Sequence, residues 1–169
     1  MKLYLVRHGI AENAGEDAAD GTRRLTALGI ERSRAAAAGM ARMGCDAQRI
    51  VSSPLSRAVE TARIFADALG LDTSAVEQAN ALATDGDVSE LLAWLRGQPR
   101  VPTMLVGHMP GLGLLATNLI CGRSETALRL KKAGACLLTS EHDMLPGTWI
   151  LEWFLPPSLL RLGGASRAR

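Results

Sequence analysis

Apolar residues fall along the chain in two rhythms, short unbroken runs and longer stretches spaced by three and four. Leu3 to Val6 is an apolar, partly β-branched run of the kind that makes a buried strand, and it stops abruptly at Arg7, His8 and Gly9. Ala11 to Arg24 is small, polar and acidic, which predicts a loop that leaves the strand end and borders a pocket. Thr26 is placed to cap an Ala-rich helix from Leu28 to Arg42, closed at Gly44. Arg49 to Ser52 repeats the short-strand pattern. Ser53-Pro54 reads as a helix start, with Ser supplying the capping oxygen and Pro the first helical position. Leu55, Ala58, Val59, Ala62, Phe65, Ala66 and Leu69 then follow at helical spacing up to Gly70, with Arg57 in the first turn.

A short strand near Ala75 to Glu77 and a polar loop at Thr84-Asp85-Gly86 come next. Asp87 and Glu90 form a capping box for a helix that turns Val88, Leu91, Leu92 and Leu95 inward. Pro99 and Pro102 bracket the turn into a strand from Thr103 to Val106, which breaks at Gly107-His108. Pro110 seats the first turn of a helix ending near Gly122. From Gly134 the period becomes two: Ala135 to Ser140 and Thr148 to Leu155 flank Pro146-Gly147 and predict a strand pair. Trp149 and Trp153 on that pair read as core or edge-face residues. Pro156-Pro157 closes a single domain, residues 1–157, and 158–169 form a C-terminal tail that packs through Leu159, Leu160 and Leu162 and is flexible at its end. The order predicts an α/β domain, with helices on both faces of a mostly parallel sheet and the closing pair as its antiparallel edge.

Composition changes this picture mainly by exclusion. The 169 residues carry a formal net charge of +2 with no long run of one sign, so neither nucleic acid nor a membrane surface is expected as the main partner. The opening residues show no signal-peptide pattern, and no window approaches a membrane span. Three cysteines, Cys45, Cys121 and Cys136, form no CxxC pair and read as thiols in a reducing, cytoplasmic setting.

The chemistry lies at strand ends. Arg7 and His8 follow the first strand, Arg57 opens the helix after the second, and His108 follows a later one. In a parallel sheet these ends share one edge, the edge where ligands bind. Phosphoryl transfer spreads negative charge over three equatorial oxygens, which planar Arg forks bind bidentately. One imidazole can attack phosphorus in line while a protonated second one neutralises oxygen charge. No compact set of Asp and His ligands accompanies these groups, so neither metal nor cofactor is expected. Glu12, Arg23 and Arg24 read as a solvated loop or pocket rim, His142 as surface, and Lys131 and Lys132 as an exposed pair.

Leu5-Val-Arg-His-Gly9, Leu25-Thr-Ala-Leu-Gly29, Ser52-Ser-Pro-Leu-Ser-Arg-Ala58 with Glu60-Thr-Ala62, and Val106-Gly-His-Met-Pro110 resemble, in order, the signatures of the histidine phosphatase (phosphoglycerate-mutase-like) superfamily. The small size resembles its SixA-type phosphohistidine phosphatase branch. The resemblance covers about residues 1 to 155. It implies a three-layer α/β/α sandwich, a transiently phosphorylated His8, and a phosphate pocket of Arg7, Arg57 and His108, with Gly9 also at the substrate. Its implied substrate is a phosphorylated protein carrying phosphohistidine, or a small phosphorylated molecule.

Two positions depart from many larger members. Ile10 stands where they carry an acidic residue, and Asn80 to Asp87 holds no firm equivalent of their proton donor. Asp85 is the candidate acid, and Asp87 is better explained as a helix cap. A missing acid hinders cleavage of alkyl phosphates far more than of a phosphoramidate, whose leaving group is better, which favours phosphohistidine. Two other functions stay open from the residues: a broad small-molecule phosphomonoesterase using Asp85 as acid, and a non-catalytic phosphate- or phosphoprotein-binding module.

Overall fold

The strand ends meet at one edge because of how the strands pair. The structure, a computed structural model, describes residues 1–13, 20–84, 87–123, 128–142 and 144–164. β1 (Lys2–Arg7) lies inside a six-stranded sheet with β2 (Arg49–Ser52), β3 (Glu77–Gln78), β4 (Thr103–Gly107), β5 (Ala135–Thr139) and β6 (Ile150–Leu155), in the order β3-β2-β4-β1-β5-β6. β1 and β2 both pair parallel with β4, setting Arg7 beside Gly107 and Ser52 beside Val106. His8, Ser53 and His108 therefore leave the sheet nearly level with one another. β5 runs antiparallel to β1 and β6 antiparallel to β5, so the closing pair forms the antiparallel edge.

Alternation along the strands sorts the core into two layers. Tyr4, Val6, Ile50, Met104 and Val106 face α1 (Ala27–Arg42), α2 (Ser56–Ala68) and α5 (Pro157–Gly164), meeting Ala37, Met40, Phe65 and Leu160. Leu3, Leu5, Val51 and Leu105 face α3 (Val88–Arg96) and α4 (Gly111–Cys121), meeting Leu91, Leu95, Leu115 and Leu119. The result is a three-layer α/β/α sandwich. None of the described helices is long and apolar enough to cross a membrane.

Local signals set most element ends. Thr26 accepts the Gly29 N–H at 3.0 Å and Asp87 the Ser89 N–H at 3.1 Å, each capping the helix that follows. Gly44, Gly70 and Gly122 close the first, second and fourth helices at φ values of 78°, 70° and 76°.

Four expectations shift. α2 starts at Ser56, not at Ser53-Pro54, with Leu55 at the cap; the Ser53 hydroxyl still accepts an N–H at the helix entry, that of Leu55 at 3.3 Å, and also meets His108. Pro110 takes the cap position of α4 instead of its first turn. Residues 73–75 form a 3₁₀ turn, and the strand beyond it has only the two exposed residues Glu77 and Gln78. Residues 158–164 continue as helix α5, and of the three leucines named there only Leu160 is buried, whereas Leu159 and Leu162 stay exposed.

Candidate active site

The floor of the site is the turn that ends β1. The amide of Arg7 donates to Gly134 O and that of His8 to Gly107 O, both at 3.1 Å, so neighbouring strands hold the turn on both sides. Ala133 donates its N–H to the carbonyls of Arg7 and His8, at 3.0 and 3.2 Å, from a backbone at φ 59°. A non-glycine residue in that left-handed region carries strain of order 1–3 kcal/mol, held here by the two hydrogen bonds it serves. The Arg7 guanidinium donates from Nη1 to Leu130 O at 2.9 Å. Segment 130–134 thus clamps the turn from the β5 side.

Helix α1 approaches the turn from the other layer. Thr26 N–H donates to Ile10 O at 3.0 Å, and a Cβ on Gly29 would collide with that same carbonyl. A Cβ on Gly9 would meet the Ser33 hydroxyl on α1. Close approach between α1 and the turn therefore requires glycine at both positions.

His8 is 7% exposed and its Nδ1 lies 2.7 Å from Gly9 O. A carbonyl only accepts, so Nδ1 carries the proton and the lone pair is on Nε2. Burial is the main force driving the His8 pKa down, to about 3, with the charges of His108, Arg57 and Arg7 adding to it against the Gly9 hydrogen bond. His8 is neutral throughout the physiological range. His108, 4% exposed, faces it with ring centroids 4.9 Å apart and planes tilted by 49°, and its Nε2 is 2.8 Å from Ser53 Oγ. Arg57, in the first turn of α2, is 2% exposed. Burial, then the charge of neighbouring Arg129, lowers the Arg7 pKa.

The structure thus gathers Arg7, His8, Arg57 and His108 at the carboxyl edge of the sheet. Gly9 is beside them, but its N–H donates to Thr61 Oγ1 at 3.0 Å and its carbonyl accepts from His8, so its backbone groups support the turn instead of facing a substrate. Asp85 lies outside the described residues. On the rim, Arg24 Nε pairs with Glu60 Oε1 at 2.5 Å, Glu12 Oε2 accepts the Arg24 N–H at 3.3 Å, and Arg23 Nη1 donates to Glu12 O. His142, Lys131 and Lys132 are exposed. Among the described residues no three of His, Cys, Asp and Glu lie together as a ligand set.

Two buried hydroxyls, Ser53 and Thr61, complete the network. Both lie inside the signatures Ser52-Ser-Pro-Leu-Ser-Arg-Ala58 and Glu60-Thr-Ala62, which is the signal that could have found them, but by local pattern one reads as a helix cap and the other as an ordinary helix position. Beside His108, Ala81, Leu82, Ala83, Val88, Leu91, Gly111 and Leu112 line a small apolar hollow. A neutral nucleophilic nitrogen flanked by a second imidazole and two guanidinium groups can receive a tetrahedral anion and attack it.

The model of the histidine phosphatase superfamily (branch 1) matches residues 3–83. The chain is 39% identical over 144 residues to an uncharacterized protein of Picosynechococcus sp., covering 83% of this chain and 86% of the other. It is 28% identical over 168 residues to the phosphohistidine phosphatase SixA of Escherichia coli (strain K12), covering 98% and 99% of the two chains. A solved structure of the protein histidine phosphatase SixA complexed with tungstate superposes with a TM-score of 0.81 at 29% identity, over 95% of this chain and 99% of that one.

Proposed function

The chain belongs to the histidine phosphatase superfamily and, with its similarity to SixA, is a phosphatase; we propose that it removes phosphate from phosphohistidine on a protein, through a phosphorylated His8 and without a metal. The observation that carries this reading is the buried, neutral His8, its Nδ1 proton fixed on Gly9 O and its Nε2 free to attack beside His108, Arg57 and Arg7.

His8 Nε2 attacks phosphorus in line, and the bond from phosphorus to the substrate imidazole breaks with its electron pair passing to that nitrogen. Arg7, Arg57 and His108 hold the equatorial oxygens, where charge grows. A phosphohistidine protonated on its far ring nitrogen departs as neutral imidazole, so no acid has to deliver a proton. Water then attacks phospho-His8, its proton passes to solvent, and inorganic phosphate leaves. A cytoplasmic setting fits the three free thiols.

The test is a panel of a histidine-phosphorylated peptide, p-nitrophenyl phosphate and sugar phosphates, each with chelator. The expected result is fastest turnover of the peptide, unaffected by chelation. Preference for the esters, or loss of activity to chelator, overturns the reading.

A further inference from the structure

Thr61 lies one helical turn beyond Arg57 on α2 and is fully buried. Its hydroxyl donates to Arg57 O at 2.7 Å, an ordinary bond from a helical threonine to the carbonyl four residues back. The same oxygen accepts the Gly9 N–H at 3.0 Å, from a different layer of the protein. Gly9 in turn uses its carbonyl to hold His8 Nδ1 at 2.7 Å. An unbroken chain of hydrogen bonds therefore runs from the imidazole of His8 through Gly9 and one hydroxyl to the backbone of Arg57.

Gly9 is the flexible joint in that chain. It has no side chain to restrict its torsions, and its two peptide planes are fixed by separate contacts. Thr61 fixes the first plane, and the second carries the carbonyl that sets the tautomer of His8. We propose that Thr61 is a positioning residue, which sets the distance and orientation of the His8 nucleophile relative to the Arg57 guanidinium. This rests on His8 and Arg57 acting as proposed above. Thr61 touches neither substrate nor the reacting atoms, and its effect passes through Gly9. Displacement of a nucleophile by about 1 Å can cost about 10²-fold in rate.

Thr61→Val keeps the shape and removes the hydroxyl. It is expected to lower kcat by about 10–100-fold while circular dichroism shows the chain folded, and Thr61→Ser, which keeps the hydroxyl, restores most of the rate. Thr61→Ala gives the same comparison without a methyl group against the Gly9 amide, should the valine variant not fold. Phe65→Leu, a core change on the same helix, serves as the control and leaves kcat near wild type. A readout independent of any substrate comes from ¹⁵N NMR of His8, in which wild type shows the Nδ1–H tautomer and Thr61→Val a mixture. Wild-type kcat and tautomer in the folded valine or alanine variant overturn the proposal, as does a Thr61→Ser variant no better than either. Loss of kcat in Phe65→Leu equal to that in Thr61→Val also overturns it, since the effect is then simple destabilisation. If the chain prefers esters, the same variants are read on p-nitrophenyl phosphate, so a wrong substrate and a wrong role for Thr61 give different results.

Discussion

The two edges of the sheet carry polar networks of similar hydrogen-bond length and opposite character. At the amino edge Lys2 Nζ and Tyr4 Oη meet Asp46, each at 2.6 Å, and Arg49 pairs with Glu77 through two bonds of 2.6 Å. Opposite charges face each other there in contact with water, with Lys2 and Asp46 45% and 46% exposed. At the carboxyl edge His8, Arg57 and His108 are almost wholly covered, and the groups that hold the imidazoles are a carbonyl and a hydroxyl. The amino edge lowers the Asp46 pKa, chiefly through hydrogen bonds from Lys2 and Tyr4, and so favours its charge, whereas the carboxyl edge suppresses the charge of His8 by burial. Water decides the difference: an exposed ion pair contributes about 0–1 kcal/mol, whereas a buried donor or acceptor stripped of its partner costs about 1–3 kcal/mol.

The largest expected effects therefore belong to the carboxyl edge. His8→Ala is expected to reduce turnover to background while inorganic phosphate still binds, which calorimetry on the folded variant checks. Retained turnover shows that His8 is not the nucleophile. Arg57→Ala is expected to lower kcat/KM by about 10²–10³-fold, the usual effect of losing one preorganised electrostatic group. A change below about threefold removes Arg57 from the pocket and leaves the two edges functionally alike.

Much of this edge was legible because its residues end strands, and strand ends are set by apolar runs. Leu3 to Val6 and Thr103 to Val106 place His8 and His108, and a parallel sheet leaves them one place to go. Thr26 and Asp87 were legible for the same local reason, each capping its own helix. What escaped depends on partners far away in sequence. Ser53 reads as a cap, and its hydroxyl does accept the Leu55 N–H, but its second partner, His108, lies 55 residues on. The clamp at 130–134 works through carbonyls and amides, which every residue has, so no side-chain pattern announces it. An irregularity in β6 escaped likewise: Leu137 pairs with Trp153 but Leu138 with Leu151, leaving Glu152 as the extra residue. That one-residue slip sends Trp153 to the layer of Tyr4 and leaves Trp149 in the opposite one.

The contrast in charge has a consequence in acid. An unfolded His8 takes up its proton near its ordinary pKa of 6.5, whereas the folded side chain is held down to about 3. Between these values the unfolded state binds the proton and the native state does not. Stability from this group is complete above the ordinary pKa and is lost as pH falls below it toward the folded value. His8→Asn is expected to flatten the decline in the urea midpoint between about pH 7 and pH 4. A wild-type slope in that variant shows that the buried imidazole does not supply the acid sensitivity. On activity the sign is the same but the position differs: neutral His8 persists well below its ordinary range, so any fall of kcat/KM near neutrality belongs to another group.

The smallest effect is expected at the amino edge, where Asp46→Asn removes a charge and keeps an oxygen able to accept from Tyr4. The Lys2 pair lies in water and is screened by salt, so the stability lost is expected to stay below about 1 kcal/mol and to shrink further in high salt. Activity should not change, because Lys2, Tyr4 and Asp46 lie at the opposite end of β1 from His8. A double-mutant cycle of Lys2→Met with Asp46→Asn, followed by urea denaturation at low and high salt, measures the pair directly. A coupling above about 2 kcal/mol, insensitive to salt, is the behaviour of a buried pair, and burial then no longer separates the two edges.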